Sequence, residues 1–407
     1  MAVRRGLNSA SSVLDEYPRQ LWLLVIGMLI SATGGSMIWP FLTIYVRQRL
    51  DLPMATVGLL LGLQSAAAIA TTLVAGPVAD RLGRKGVMLL SLFSSAALYV
   101  IMSRAGTLSL WVVLMAASGA LNPLFRVGSD AMVADLVPPD RRAGAYAIIR
   151  VGNNLGIAIG PAVGGFVASV SYAWAFSAGA LASAVTGLLV LALVRETLPT
   201  AGDMPARTHM GAGYGRLVRD RGFLSFCAIS ALAVIPSALM MVLLPVYAKE
   251  EFGVVESQYG LIMATNAAMV VLFQYTVTRS SERHSPWLVM ALGALLYALG
   301  VGSVALGSSF AGFLISMIIM TGGELLLVPA GTTTAANFSP ADMRGRYMGF
   351  YGLTWRVGIG IGPVLGGLLN DQIAPTAVWY AGAAFGLLAT VGFLLLGRLV
   401  REGARDR

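Results

Sequence analysis

The chain is 407 residues long, 57% hydrophobic and only 12% charged, with mean hydropathy +0.77 and a formal net charge of +9. Soluble proteins carry about 25% charged residues, and a soluble fold has no place to hide so much apolar surface. These figures exclude a cytosolic enzyme, a nucleic-acid module and a disulfide-stapled secreted domain; most of the solvent around this chain is lipid.

A membrane-crossing helix needs about 20 apolar residues. In chain order, apolar runs cover 21–46, 56–79, 87–103, 108–136, 146–170 and 174–194. A polar stretch follows, in which 197–214 holds Gly, Pro, Thr and charges and reads as a linker. Six more apolar runs cover 223–247, 259–278, 287–306, 310–337, 348–369 and 378–396. The expected architecture is an all-α membrane protein with twelve transmembrane helices. They fall into two pseudo-symmetric six-helix bundles, 1–196 and 223–407, joined by a cytoplasmic linker at 197–222. The opening is polar up to Gln20, and the run after it is too long for a cleavable signal core.

Charge sets the expected orientation. With the N-terminus in the cytoplasm, 21 of the 28 Lys and Arg residues fall in inner segments and 4 in outer ones, Arg47, Arg49, Arg104 and Lys249. The remaining three, Arg126, Arg150 and Arg356, sit inside apolar runs. The asymmetry predicts a multi-pass protein of a bacterial cytoplasmic membrane with both termini inside. The single cysteine, Cys227, cannot form an internal disulfide. His209 and His284 are isolated loop histidines, so no metal site and no cofactor are expected.

After the second run the chain reads Gly76-Pro-Val-Ala-Asp80-Arg81-Leu-Gly83-Arg84-Lys85. Gly76 and Gly83 allow close backbone approach and a tight turn, Asp80 can accept from helix N-termini, and Arg84 can bridge to a carboxylate. On the basic residues alone, a positive-inside anchor with a turn is the better explanation of the loop; the full pattern is more specific. In the fourth run Asn122, Arg126 and Asp130 are spaced four apart and share one helical face. Unpaired charges in hydrocarbon cost several kcal/mol, so Arg126 and Asp130 either face a cavity or neutralise each other. In the fifth run Gly156, Gly160 and Gly164 lie on one face, with Pro161 and Gly165 beside them. That face suits backbone-to-backbone packing against another helix, and Pro161 permits a bend. Arg150 lies about 12 Å into this helix at 1.5 Å per residue, where it serves either as a snorkelling anchor or as a cavity residue.

The second half repeats the first. Pro139-Asp140-Arg141-Arg142 and Gly160-Pro161-Ala162-Val163-Gly164-Gly165 are echoed by Ala341-Asp342-Met343-Arg344 and Gly362-Pro363-Val364-Leu365-Gly366-Gly367, always 202 residues on. A duplicated six-helix unit is the mark of a two-lobed transporter whose site lies near the bilayer midplane. Glu324, in Thr321-Gly-Gly-Glu-Leu, has no cation within four residues on its own helix. Apolar surroundings penalise the charged form of a carboxyl group and bring proton exchange toward working pH. Glu324 and Asp130 are therefore the candidates for proton coupling; the alternative for Glu324 is a fixed pairing with Arg126 or Arg356. Arg126, Asn122, Arg356, Arg150, Asn154, Met240 and Met241 are expected to line a substrate cavity, the methionines adapting to varied apolar ligands. Ser36, Met37, Asn153 and Asn266 are further polar or soft candidates, and Pro40 and Pro236 are expected to kink helices 1 and 7.

The G-x-x-x-D-R-x-G-R-K string resembles the signature loop of the major facilitator superfamily. The run from Gly156 to Gly165 resembles the G-x-x-x-G-P-x-x-G-G motif of its drug:proton antiporter branch, the helix-10 G-E…P string resembles LmrP-like multidrug exporters, and the run Arg344-Gly-Arg-Tyr-Met-Gly-Phe350 resembles MdtH-like ones. The resemblance implies the superfamily fold and a cytoplasmic latch built from Asp80, Arg84 and Asp135. The sequence departs from the branch at Met115, where relatives often carry arginine, and in the eroded second loop at 278–283. The expected function is a proton-coupled exporter of lipophilic or amphipathic small molecules, acting as a monomer in the lipid bilayer with no nucleic-acid partner. The alternative is a carrier for a defined metabolite or lipid, such as a sugar, amino acid or lysophospholipid. No nucleophile–base pair or phosphate loop points to an enzyme.

Overall fold

The computed structural model describes residues 16–198, 214–340 and 343–405. Within them, twelve helices are long and apolar enough to cross a membrane. In chain order they are α1 (Arg19–Leu50), α2 (Met54–Leu82), α3 (Arg84–Met102), α4 (Leu108–Leu136), α5 (Gly144–Val170) and α6 (Tyr172–Leu193). Then come α7 (Arg221–Val242), α8 (Glu256–Ser281), α9 (Pro286–Leu306), α10 (Phe310–Phe338), α11 (Arg346–Gln372) and α12 (Ala377–Leu399). Every predicted run corresponds to one membrane-crossing helix, and the run 223–247 continues past α7 into a further short helix. The helices begin a few residues earlier where the sequence turns polar, as at Glu256 and Arg346, because charged side chains at the end of a span reach the water line. Residues 199–213 of the expected linker, His209 among them, and Asp342 of the repeat lie outside the described residues.

The 202-residue repeat governs helix geometry as well as motif spelling. Helix α1 tightens to a 3-10 turn at Trp39–Phe41 around Pro40 and resumes as Leu42–Leu50. Helix α7 breaks 202 residues later, at Leu243, and resumes as Leu244–Phe252 with Pro245 in its first turn. The break in α7 thus lies beyond Pro236, which stays inside a continuous helix. The two resumed helices end on left-handed residues, Asp51 at φ 49° and Gly253 at φ 67°, again 202 apart.

The described residues form two compact units. One gathers those within Met1–Trp39 and Ala67–Pro205; the other gathers Pro40–Ala66 and those within Ala206–Arg407. The largest buried cluster of the first is mostly aliphatic, with Leu21, Leu24, Met88, Leu92, Met132, Val133 and Val190 packed together around Phe125. The second holds aromatic clusters, in which Phe226 stacks on Tyr351 at 5.5 Å and Phe223 meets Tyr347 at 4.4 Å. Large apolar side chains such as Leu181, Val271, Leu272 and Leu388 remain outside these cores, exposed to what the composition identifies as lipid.

Lipid tails give helices no hydrophobic reason to associate, so close backbone packing has to do it. In the first unit a Cβ at Gly156 would meet Leu29 O at 2.7 Å and Thr33 N at 2.9 Å, and one at Gly160 would meet Thr33 O at 2.7 Å. Gly164 lies likewise against Met37 of α1. Ser36 Oγ donates to Gly156 O at 3.1 Å along the same seam. In the second unit Gly358, Gly362 and Gly366 set α11 against α7 at Val234, Ala238 and Leu239. The glycine face read in α5 is therefore a packing face, duplicated in α11.

The second unit also holds the segment 40–66 firmly. Asp371, at the end of α11, accepts hydrogen bonds from Met54 N at 3.1 Å and Ala55 N at 2.7 Å, capping the start of α2. Arg47 pairs with Glu250 at 2.6 Å, and Thr43 Oγ1 donates to Val242 O at 2.9 Å.

Candidate functional site

Three groups of polar residues stand inside or at the edge of the apolar spans. The first surrounds Glu324 in α10. The preceding Gly323 crosses α9 so closely that a Cβ there would lie 2.8 Å from Tyr297 Cδ1 and 2.5 Å from Gly293 O. This crossing fixes the height of Glu324 against its neighbours. From α8, the buried Asn266 donates through Nδ2 to Glu324 Oε2 at 2.8 Å and to Thr321 Oγ1 at 2.9 Å. Thr321 Oγ1 in turn donates to Met317 O at 2.7 Å. Glu324 has no ion pair with any described residue, and Arg356 is not its partner. The side chain is thus held at mid-helix by a neutral amide, with no cation among the described residues to fix its charge state.

The second group lies in the first unit, on α1, α4 and α5, around a cavity of about 610 Å³. Arg126, Asp130, Tyr146, Arg150, Asn153 and Asn154 supply its polar lining, and Met28, Ile149 and Val151 part of its apolar lining. Arg126 Nε stands 3.7 Å from Asp130 Oδ2, a loose pair with both side chains well exposed. Tyr146 OH donates to the Asp130 carbonyl at 3.0 Å. Asn122 does not join this lining. Pro123 follows it, and its side chain is turned to helix packing, accepting from Ser95 Oγ at 2.8 Å and donating to Ser118 Oγ at 2.9 Å. Met240 is fully buried inside the second unit, and Tyr259 OH reaches the Met240 and Met241 carbonyls at 3.4 and 3.3 Å. Neither methionine lines the cavity of the first unit.

The third group is the loop between α2 and α3. Arg84 Nη1 pairs with Asp80 Oδ1 at 2.8 Å, and Arg84 Nε with Asp135 Oδ2 at 3.2 Å. Thr197 Oγ1 donates to the same Asp135 oxygen at 3.0 Å. Gly83 makes the turn at φ 84°, ψ 155°, a region reserved for glycine. Gly76, in contrast, faces open space, so its lack of a side chain serves no close approach among the described residues. Lys85 Nζ donates to Leu191 O at 2.8 Å, and Arg81 belongs to the last turn of α2.

Sequence reading missed Glu196. Its carboxylate accepts from Arg84 N and Lys85 N, each at 3.0 Å, and so caps α3. It also accepts from Thr197 N and Leu198 N at 2.8 and 3.0 Å. Partial burial works against its charge, but these four backbone donors outweigh it and hold the carboxyl below the usual glutamate range. The available signal was a carboxylate placed where α6 ends, a few residues from helix-terminal arginines.

The profile described as Major Facilitator Superfamily matches residues 24–241 and again 226–407. The chain belongs to the major facilitator superfamily. It is 28% identical over 394 residues to the uncharacterized MFS-type transporter YttB of Bacillus subtilis, covering 95% of this chain and 97% of the relative. It is 26% identical over 386 residues to a Na(+), Li(+), K(+)/H(+) antiporter of Planococcus maritimus, with 86% and 89% covered. Identity to the multidrug resistance protein MdtH of Escherichia coli is 25% over 382 residues, with 92% and 93% covered. Among solved structures, the nucleoside transporter NupG superposes with a TM-score of 0.78 at 17% identity, covering 93% of this chain and 99% of that one. A POT family transporter gives 0.76 at 17% identity, with 93% and 96% covered. At such identities these structures speak for the fold alone. The superfamily membership makes this chain a multi-pass membrane transporter with small-molecule substrates.

Proposed function

We propose that the chain is a proton-coupled exporter of lipophilic or amphipathic small molecules, working by alternating exposure of its binding residues to the two sides of the membrane. The observation that carries this reading is Glu324, held within a membrane span by the Asn266 amide and paired with no cation among the described residues. A carboxylate neutralised by arginine stays charged; one held by an amide can take up and release a proton as its surroundings change. The names of the relatives, a cation/proton antiporter and a multidrug resistance protein, support the same direction. Asp130 is a second proton site, weaker because Arg126 stands beside it. The Asp80–Arg84–Asp135 cluster is read as the cytoplasmic latch, and the α5 and α11 glycine seams, with Pro161, as surfaces that slide during transport. The protein acts as a monomer in a bacterial cytoplasmic membrane, with both termini inside, and carries out transport rather than catalysis.

The test is uptake of lipophilic dyes into proteoliposomes under an imposed pH gradient. Wild-type protein should transport, and collapse of the gradient should stop it. Glu324→Gln should retain dye binding and lose gradient-driven movement by tenfold or more, the order expected when a proton-transfer group is removed. Undiminished transport by that variant would remove Glu324 from the mechanism. A second reading, a carrier for one defined metabolite or lipid, draws on the two arginines in the cavity of the first unit. A single ligand that displaces all the dyes would favour it.

A further inference from the structure

The cavity of the first unit carries more positive charge than its own residues neutralise. Arg126 and Arg150 both face Asp130, the one carboxylate in its lining. Arg126 meets that carboxylate through Nε at 3.7 Å, too long for a strong hydrogen bond, and its side chain is 58% exposed. Arg150 makes no hydrogen bond or ion pair with any described residue, although α5 carries it within a membrane span. Each guanidinium offers five N–H donors in a planar fork, a shape matched to carboxylate, phosphate or sulfonate oxygens. Asn154, in the same lining, adds an amide whose oxygen accepts a long 3.4 Å bond from Asn153. Beside them, Met28 and Val151 give the same space an apolar wall. Two arginines sharing one acid within a membrane span leave positive charge uncompensated, and an incoming anion would relieve it.

We infer that this cavity is a subsite for the anionic head of an amphiphile, an oxyanion on an apolar body. The inference rests on the reading of the chain as an exporter of amphipathic molecules and narrows its cargo: lipophilic cations, for which Asp130 alone would be the attraction, become the disfavoured class. One chemistry has two sources, a dissolved organic acid carried as cargo or the headgroup of an anionic lipid.

The experiment uses the full-length protein in phosphatidylcholine nanodiscs and three matched probes, pyrenebutyrate, pyrenebutanol and pyrenebutyl-trimethylammonium, titrated by fluorescence with no proton gradient. Pyrenebutyrate should bind about tenfold more tightly than pyrenebutanol, the step expected of one charge-assisted, bidentate contact. Arg150→Gln and Arg126→Gln, on different helices, should each lower that affinity about tenfold while leaving pyrenebutanol within about twofold. Arg150→Lys should restore part of it. Asp130→Asn should do the reverse and tighten pyrenebutyrate severalfold, a gain that no folding defect produces, so the test survives if an arginine variant misfolds. Replacing part of the lipid with phosphatidylglycerol separates the sources: displacement of the probe assigns the site to a lipid head, and persistence assigns it to cargo. Equal binding of the three probes, preference for the ammonium probe, or no tightening in Asp130→Asn would overturn the proposal. The outcome is separable from the coupling reading, because the titration runs without a proton gradient and reads binding alone, whereas failure of the coupling reading shows only in gradient-driven transport.

Discussion

At the scale of single residues, Glu196 and Gly83 explain why the turn between α2 and α3 keeps its shape. Gly83 adopts backbone angles open to glycine alone, and a Cβ there would strike the Glu196 carboxylate. Gly83→Ala should therefore cost about 1–3 kcal/mol of stability from backbone strain, read as a lowered melting temperature. Glu196 makes a pH-dependent contribution of definite sign. Its carboxyl lies below the usual range in the folded protein, so its contribution is present above that range and disappears as pH falls through the depressed value. Wild type should melt higher than Glu196→Gln at neutral pH, by no more than about 1 kcal/mol for an exposed capping carboxylate. The difference should close in acid; a gap that widens on acidification would contradict the assigned role.

Glu324 itself was legible in the sequence, because a lone acid in an apolar run stands out. Its partner was not: Asn266 lies 58 residues away on another helix, and nothing local distinguishes it from a packing amide. The same distance hid Glu196, 112 residues from Arg84. Asn122 failed in the opposite way. Its spacing from Arg126 and Asp130 pointed to a shared face, but two serine hydroxyls on α3 and α4 hold its amide instead.

At the scale of elements, the glycine seams decide which helices pair. The i, i+4, i+8 spacing in α5 announced a packing face, and the structure supplies its partner, α1, which spacing alone could not name. A branched side chain at Gly156 would have to displace backbone atoms of Leu29 and Thr33, so Gly156→Val should destabilise by about 1–3 kcal/mol or more. Gly352, on α11, provides the contrast. A Cβ there meets open space, and Gly352→Ala should leave stability unchanged or raise it by up to about 1 kcal/mol, since alanine favours helix. Thermal melts of the two variants check both signs. Helix existence was legible throughout, because a membrane span needs a long apolar run. The breaks were less so: α1 yields at Pro40 as expected, whereas α7 carries Pro236 without interruption and breaks at Leu243, ahead of Pro245.

At the scale of the whole molecule, the repeat is the strongest regularity. One shift of 202 residues relates the starts of α1 and α7, the breaks within them and their left-handed ends. In register it equates Glu324 with Asn122 and Arg356 with Asn154, so the duplicated frame carries different chemistry in each half. Sequence order does not decide which helices keep company, however. Residues 40–66 belong to the second unit, held by Asp371, Glu250 and the α11 glycines. A chain severed after Pro205 would thus yield two pieces, neither of which is a finished article. The later piece would leave Asp371 and the groove at Gly367 bare, and the earlier piece would present the orphaned start of α2. Produced separately, both should aggregate on extraction; produced together in one cell, they should co-purify as a stoichiometric pair, because each supplies the surface on which the other is completed.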